Sequence, residues 1–335
     1  MAGARVLAGS GAPARRGGLS QRRAKFHEVV RGAVLRRGVA IMGVCNVTPD
    51  SFSDGGDYFD PKAAFARVDQ LLEEGADILD IGGESTRPRS QPVPPKVQLE
   101  RVLEVVRYAA ARASAGPTGH GFCVSIDTTS PEVAAACLDA GAHAVNDVSL
   151  LADEDLARVT AGSGAALVLS HARAPQADMN GFGGWPLSAY DDVVRDVLAD
   201  WERAAARAGE LGVPRDALVM DPGLGFSKAS RHSLELLRRT HELAAKVDVP
   251  VLIGASRKSF LTLVDPSTKA TPKDRLGASI AAAVFAAHAG ARIVRVHDVR
   301  DTRQALDLDV ILGVPVGHAD RGLTVLGEPR GGKKA

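Results

Sequence analysis

The sequence predicts a single-domain α/β fold, a (β/α)8 TIM barrel, from three observations. Eight short apolar runs rich in β-forming residues recur along the 335-residue chain, and helical patterns separate them. No shift in composition marks a second domain. A doubly wound open sheet is the alternative architecture, but no G-x-G-x-x-G motif follows the first run. We therefore prefer the closed barrel.

The predicted strands lie near residues 39–46, 78–83, 123–128, 144–149, 166–171, 217–222, 251–256 and 292–297. Several of these runs are apolar nearly throughout, which is typical of parallel strands covered on both faces. Helical patterns fill the gaps at 61–74, 98–113, 131–140, 191–211, 233–246 and 274–289. Three helical segments close on a glycine, at Gly75, Gly141 and Gly290, which suits the residue that follows a helix.

Both ends of the chain differ from this repeating middle. Residues 1–24 are rich in Gly, Ala and Arg and contain no acidic residue, so we expect a disordered basic arm. A transit peptide or a nucleic-acid-binding arm is the alternative, although the segment has no continuous apolar stretch. The barrel is expected over 25–314 and a flexible tail over 315–335.

Composition excludes several classes of function. The net charge is only +1 and aromatic residues make up 4%, which argues against a nucleic-acid-binding surface. No apolar run approaches the roughly 20 residues that a membrane-spanning helix needs. The three cysteines, Cys45, Cys123 and Cys137, have no CxxC spacing, so we expect a reducing compartment and a cytoplasmic location.

Polar residues stand at or just beyond the carboxyl ends of the predicted strands. They are Asn46, Glu84, Asp127, Asn146, Asp147, His171, Asp221, Lys258, Arg295 and His297. In a parallel barrel these ends share one face, and barrel enzymes carry their chemistry there. The pattern therefore predicts an active site on this face.

Charge divides the predicted site into two halves. Asp127, Asn146 and Asp221 offer carboxylates and an amide, which suit a flat heterocycle rich in N–H donors. The other half is cationic or potentially so, with Asn46 beside it in the first loop, and it suits phosphate. Its members are Arg87, Arg295 and His297, joined by Lys258 where a strand passes into a helix.

Several of these polar residues have structural alternatives. Arg87 could pair with Glu84 on the surface, and His171 could be a core histidine. Asp147 and Ser149 could cap a turn, and we interpret Asp80 as a structural polar group inside the barrel. No HExxH or G-x-S-x-G motif occurs, so neither a tightly bound zinc nor a serine nucleophile is expected.

Seven motifs in the chain are similar to those of the dihydropteroate synthase family in order and spacing. They are IMGVCNVTPDSFSDGG, DIGGESTRP, SIDT, NDVS, MDPGLGFSK, GASRKSF and RVHDV, and the resemblance covers roughly residues 38 to 312. The family fold is the same barrel. The resemblance implies condensation of hydroxymethyl-dihydropterin diphosphate with p-aminobenzoate, giving dihydropteroate and pyrophosphate, in a cytoplasmic homodimer.

The resemblance also assigns roles to individual residues. For the pterin ring it implies Asp127, Asn146, Asp221 and Lys258; for the mobile second loop, Thr86 and Arg87; for the diphosphate, Arg295, Val296 and His297; for Mg²⁺, Asn46; for the aminobenzoate, Phe52, Pro88, Phe226, Lys258 and Ser259. Catalysis would fall to Lys258, Arg295, His297 and Asp127, and the first loop would close as a lid.

The fifth strand departs from the family pattern. Ser170 stands where the family usually has Met, so the packing of the pterin pocket at this point stays open. Two rival functions remain. One is a corrinoid-type pterin methyltransferase on the same barrel, and the other is a catalytically silent pterin-binding paralogue.

Overall fold

The computed structural model describes residues 20–48, 61–84, 92–115, 121–174, 185–269 and 271–313. Eight parallel strands form one sheet: β1 Ala40–Asn46, β2 Ile78–Gly82, β3 Cys123–Asp127, β4 Ala144–Asp147, β5 Ala166–Ser170, β6 Leu218–Asp221, β7 Leu252–Ile253 and β8 Ile293–Val296. Each strand lies within its predicted segment.

The sheet runs in the order β6-β5-β4-β3-β2-β1-β8-β7, so its two edges are β6 and β7. A parallel bridge between Met220 and Val251 joins these edges, and the Met220 amide donates to the carbonyl of Pro250 at 2.9 Å. The predicted barrel fold is confirmed.

Ten α-helices occur in the described ranges: α1 Gln21–Arg37, α2 Pro61–Glu74, α3 Pro95–Ala115, α4 Pro131–Asp139, α5 Glu154–Ser163, α6 Val193–Glu210, α7 Ser230–Arg238, α8 Thr240–Lys246, α9 Leu276–His288 and α10 Val299–Gly313. The segment predicted as one helix over 233–246 is divided at Arg239 into α7 and α8. Among the described helices, none combines the length and apolarity that a membrane span requires.

Helix α1 corrects the boundary expected for the basic arm. Ser20 caps it by accepting a hydrogen bond from the amide of Arg23, so the helix includes residues 21–24, which composition had assigned to the arm. Arg22 donates to the carbonyl oxygens of Ser163 at 2.9 Å and Leu138 at 3.0 Å. These contacts, together with buried apolar residues on one face of α1, hold the segment against the barrel.

The interior of the barrel is apolar at its amino-terminal end, where α1 covers it. Phe26, Val29, Val30 and Ala33 of α1 form one buried cluster with inward residues of the strands. The strand residues are Ala40, Met42, Ile78, Cys123, Ala144, Ala166, Val168, Val219, Leu252 and Ile293. A second, larger cluster lies between the sheet and the surrounding helices.

Towards the carboxyl ends the inward positions turn polar. Side chains alternate between the two faces of a strand, so the residue two positions after an inward apolar residue also points inward. Ile78 is thus followed by Asp80, Cys123 by Ser125 and Asp127, Ala144 by Asn146, Val168 by Ser170, Val219 by Asp221 and Ile293 by Arg295. The strands therefore build a polar layer above a sealed apolar one.

Candidate active site

Arg295 lies at the centre of the polar layer. Its Nε donates to Asp80 Oδ2 at 2.7 Å, and its Nη2 donates to Asp127 Oδ2 at 2.7 Å. Asn146 Nδ2 donates to the same Asp80 oxygen at 3.0 Å. The expected separation of the site into an acidic and a cationic half is therefore wrong for Arg295, because two buried carboxylates compensate its charge.

Part of this cluster keeps its hydrogen-bonding capacity free. Asp80 Oδ1, Asn146 Oδ1 and Ser125 Oγ are buried and have no partner among the described residues. Burial is the main cause that raises the pKa of Asp127 to about 7, and Arg295 opposes it. A ligand rich in N–H groups would find acceptors here.

Asp221 occupies the opposite part of the layer, at the end of β6. Its Oδ2 accepts a hydrogen bond from Ser170 Oγ at 3.0 Å, and its Oδ1 accepts one from the amide of Gly223 at 2.8 Å. Ser170 therefore contributes a hydrogen bond to the site at the position where the sequence left the packing open. The carboxylate is fixed in place by both neighbours.

Lys258 extends over the loop that follows β6. Its Nζ donates to the carbonyl oxygen of Leu224 and lies 4.6 Å from the centroid of the Phe226 ring. A Cβ built on Gly254 would lie 3.9 Å from Lys258 Nζ and 3.8 Å from Arg295 Cβ, so the two cations border the same space. Burial lowers the pKa of Lys258 to about 8.

The segment after Lys258, where we expected the strand to pass directly into a helix, is a short 3₁₀ helix, Ser259–Leu263. The α-helix predicted over 274–289 is α9, which begins at Leu276. Five residues of 3₁₀ helix carry little macrodipole, so free donors rather than a long dipole would attract an anion here. Ser259 Oγ is buried without a partner among the described residues, and Phe226 is buried beside Lys258.

The surroundings of His297 disfavour its charged form. Its backbone amide donates to Ser256 Oγ at 3.2 Å, and its Nδ1 lies 3.1 Å from the same oxygen. Burial, with the nearby charges of Arg295 and Arg257, lowers the pKa of His297 to about 3. Any contact with an anion would therefore use an imidazole N–H.

Three of the ten polar residues at the strand ends make their hydrogen bonds outside the cluster. Glu84 accepts from the Val93 amide at 3.1 Å and from Gln98 at 3.0 Å, near the start of α3. Asp147 accepts from the amides of Ser149 and Leu151, so the capping interpretation is correct. His171 lies between Asp200 and Lys228, and it too is outside the pocket.

Val296 lies between Arg295 and His297 at the end of β8. Its side chain belongs to the hydrophobic cluster between the sheet and the helices, so only its backbone can reach a ligand. Four further predicted residues, Phe52, Thr86, Arg87 and Pro88, lie outside the described residues, as do the proposed lid and the Arg87–Glu84 pair.

Asn46 ends β1 and is paired in register with Gly82, which is paired in turn with Asp127. It therefore stands at the same level of the barrel as the polar cluster. In the described residues no group of three or more His, Cys, Asp or Glu side chains could hold a metal ion. A single amide oxygen fits Mg²⁺ that is bound mainly by phosphate and water, and it does not form an all-protein cage.

Two site residues were missed or undervalued by sequence reasoning. Asp80 was assigned a structural role, although it anchors both Arg295 and Asn146, and Ser125 was not considered. The alternation of inward and outward positions could have identified both, because each lies two residues after an inward apolar residue of its strand.

Comparison with known proteins fits this geometry. The profile described as "Pterin binding enzyme" matches residues 42–297. A dihydropteroate synthase of Mycobacterium leprae is 43% identical over 274 residues, covering 80% of this chain and 91% of the relative. The chain belongs to the pterin-binding enzyme family.

Two further members of the pterin-binding enzyme family show how much of each protein is shared. A probable bifunctional folylpolyglutamate synthase/dihydropteroate synthase of Haloferax volcanii is 39% identical over 271 residues, 81% of this chain but 30% of the relative. The structure of dihydropteroate synthase from Xanthomonas albilineans in complex with 7,8-dihydropteroate is 36% identical, with a TM-score of 0.70, and the match covers 83% of this chain and 95% of that one.

Proposed function

We propose that the protein is a dihydropteroate synthase, which joins hydroxymethyl-dihydropterin diphosphate to p-aminobenzoate and releases pyrophosphate. The observation that carries the proposal is the shared pocket of Lys258, Arg295, Asp127 and Asp221 at one end of the barrel. Relatives of this name match over nearly their whole length, and one was solved with dihydropteroate bound.

The reaction is a displacement at carbon. The C–O bond between the pterin methylene group and the diphosphate breaks, and its electrons leave with pyrophosphate. A bond forms between the same carbon and the amine of p-aminobenzoate, which then loses a proton. No side chain of the enzyme needs to form a covalent bond, so the absence of a predicted nucleophile agrees with the chemistry.

Asp127 and Asp221 would act on the pterin ring. Positive charge spreads into the ring as the C–O bond breaks, and carboxylates at the N–H edge stabilise it. Asn146 offers its free Oδ1 as a further acceptor, because Asp80 occupies its Nδ2. We expect these three side chains together to fix the orientation of the heterocycle.

Arg295 would serve the leaving group as well as the acids. A guanidinium has five N–H bonds. One N–H of Nε is used by Asp80 and one N–H of Nη2 by Asp127. The remaining N–H groups can donate to diphosphate oxygens. His297 would add a neutral N–H donor and Lys258 a positive charge, so the developing anion is stabilised without a fully exposed cation.

Mg²⁺ is the expected metal, and Asn46 is the residue proposed to hold it. When bound, Mg²⁺ neutralises charge on the diphosphate and so favours its departure. The single amide ligand is consistent with a metal that arrives on the substrate rather than one resident in the protein.

The two rival functions are less well supported. A corrinoid-type methyltransferase would share the acidic and amide residues but would not need Lys258 in its position over the loop. A silent pterin-binding protein would not need Arg295 placed with donors left for a diphosphate. Both features are present.

We further propose that the protein is a cytoplasmic homodimer. Large apolar side chains are exposed on the last two helices, namely Phe285 on α9 and Leu308, Ile311 and Leu312 on α10, and a second copy would cover them. Cys45, Cys123 and Cys137 are free and buried, which is compatible with a reducing compartment. Light scattering of wild type and Phe285→Glu tests the dimer, which the added charge should dissociate.

The test of the activity is pyrophosphate release by the purified full chain. Release is expected only when the pterin diphosphate, p-aminobenzoate and Mg²⁺ are all present. Methyl transfer from a methylated pterin to a corrinoid would indicate the first rival. Pterin binding with no turnover under any of these conditions would indicate the second.

A further inference from the structure

Lys228 is a buried lysine that the reaction above does not use. Its side chain is 1% exposed, and its Nζ lies 2.8 Å from His171 Nδ1, 2.9 Å from the Phe226 carbonyl oxygen and 3.2 Å from the His171 carbonyl oxygen. The three acceptors match the three N–H bonds of an ammonium group. Lys228 therefore ties the end of β5 to the loop after β6.

Asp200 on α6 fixes the tautomer of His171 that this contact needs. Its Oδ2 lies 3.0 Å from His171 Nε2, so the imidazole donates there and leaves the Nδ1 lone pair facing Lys228. Arg173 holds Asp200 from the outer side at 2.8 Å. Asp200, His171 and Lys228, here called the clip, thus run from the helix layer to the loop.

The loop held by the clip has an unusual backbone. Gly223, Gly225 and Ser227 all have positive φ, at 65°, 85° and 48°. Ser227 is not a glycine, so its conformation costs on the order of 1 kcal/mol and needs outside support. The amide of Arg173 donates to Ser227 Oγ at 3.0 Å, which is one such support.

The same loop forms the seat of Lys258. The Leu224 carbonyl oxygen accepts its ammonium group, and the Phe226 ring lies 4.6 Å from its Nζ. Lys228 of the clip donates to the carbonyl oxygen of Phe226 in the same loop. Electrostatic interaction also joins the two lysines, since Asp221 raises the pKa of both and the charge of Lys258 lowers the pKa of Lys228.

We propose that Lys228 is a positioning residue for Lys258: through the clip it fixes the β6 loop whose Leu224 carbonyl and Phe226 ring hold the Lys258 ammonium group. This inference rests on the proposed function for its effect on turnover. Its effect on Lys258 itself is independent of the reaction.

The test is competitive labelling of lysines with acetic anhydride in the full chain, followed by mass spectrometry between pH 6 and 10. Wild-type Lys258 should show a midpoint near its pKa of about 8. In Lys228→Met the loop loosens, and the Lys258 ammonium group loses its fixed contacts with the Leu224 carbonyl oxygen and the Phe226 ring. Losing these contacts disfavours the ammonium form of Lys258, so its midpoint should move to lower pH.

Pyrophosphate release would report the same misplacement of Lys258, as a fall in kcat/KM of about tenfold or more. Val105→Ala is the control, because it removes buried volume from α3 without touching the clip. This control should lower the melting temperature and leave the Lys258 midpoint in place. An unchanged midpoint in a folded Lys228→Met protein would overturn the proposal.

Asp200→Asn provides a second route if Lys228→Met does not fold. It weakens the clip at its outer end without leaving a buried unpaired charge, and a smaller shift in the same direction is expected. No shift in this variant would also overturn the proposal. Should the wild type lack synthase activity altogether, the labelling still decides the role of Lys228, so the two failures are distinguishable.

Discussion

Asp80 Oδ2 lies 2.7 Å from Arg295 Nε, so the cation of the candidate active site is held from below by a fully buried carboxylate. The same oxygen accepts a hydrogen bond from Asn146. One residue thus determines the orientation of two groups that face the ligand. Asp80 therefore supports the site from beneath its surface.

Asp80→Asn should lower kcat/KM for the pterin diphosphate by about tenfold or more, because Arg295 and Asn146 lose their shared anchor. Breaking a buried ion pair also costs on the order of a few kcal/mol of stability. Asp77→Asn is a matched control, since Asp77 pairs with Arg36 and Arg37 below the same strand. The control should lose stability with little change in activity, and equal losses of activity would contradict the role of Asp80.

Lys258→Ala and Arg295→Ala should each reduce turnover at least about a hundredfold, the scale of losing a group that stabilises charge in the transition state. Both variants remove a cation beside the diphosphate. The measurement is the rate of pyrophosphate release at saturating substrates. A near-normal rate in either variant would contradict the role assigned to the residue it replaces.

The pH dependence should show two ionisations of the free enzyme. Asp127 must be ionised and Lys258 protonated, so kcat/KM should rise through a pKa near about 7 and fall through one near about 8. Asp127→Asn should lose the rise at lower pH along with most of its activity. A variant that keeps this limb would show that another group titrates.

The ionisation of Asp127 can also be measured without substrate, through its effect on protein stability. The pKa of Asp127 is raised on folding from 3.8 to about 7, so the native state binds the proton more tightly than the unfolded state. Wild type should therefore lose stability relative to Asp127→Asn as the pH rises from 4 to 7, and the difference should level off above that. Urea unfolding at several pH values measures it. A difference that grows in the opposite direction would refute the shift.

Gly223→Ala should destabilise the protein by more than about 1 kcal/mol, because its φ of 65° disfavours any side chain. A Cβ there would also overlap the carbonyl oxygen of His171. Gly209→Ala in α6 is the control, since a Cβ at that position would meet no atom within 4 Å. It should be neutral or stabilising by up to about 1 kcal/mol. Thermal unfolding compares the two.

Asn46→Ala should raise the Mg²⁺ concentration needed for half-maximal pyrophosphate release by about tenfold or more. Asn146→Ala removes the same type of side chain from the pterin side of the site. It should lower activity without moving the Mg²⁺ requirement. Equal shifts in both variants would argue against a metal ligand at Asn46.

The barrel itself was predictable because each strand is a contiguous apolar run that ends in a polar residue. The direction of each polar side chain was not predicted, although the alternation of side chains along a strand determines it. Asp147 follows the inward Asn146 and therefore points outward, where it caps a turn. His171 follows the inward Ser170 and reaches Asp200 on the outer helix layer. A position at the carboxyl end of a strand therefore does not by itself place a residue in the site. The alternation of inward and outward side chains also has to be considered.

Other features depend on contacts between segments distant in sequence. The neutral state of His297 follows from burial beside Arg295 and Arg257, which composition cannot reveal. Helix α1 starts within a segment of low sequence complexity, and its stability comes from packing Phe26 and Val30 into the barrel. The ion pair of Arg295 with Asp80 joins residues 215 positions apart. No local pattern predicts such a pair.

Helix α1 closes the amino-terminal end of the barrel, which limits access to the pocket. Two reactants and two products must therefore pass through the opening at the carboxyl ends of the strands. If the heterocycle binds deepest, beside Asn146 as proposed, it should enter before the second substrate and leave only after the groups above it have left. The closed end of the barrel would thus determine the order in which substrates bind and products leave.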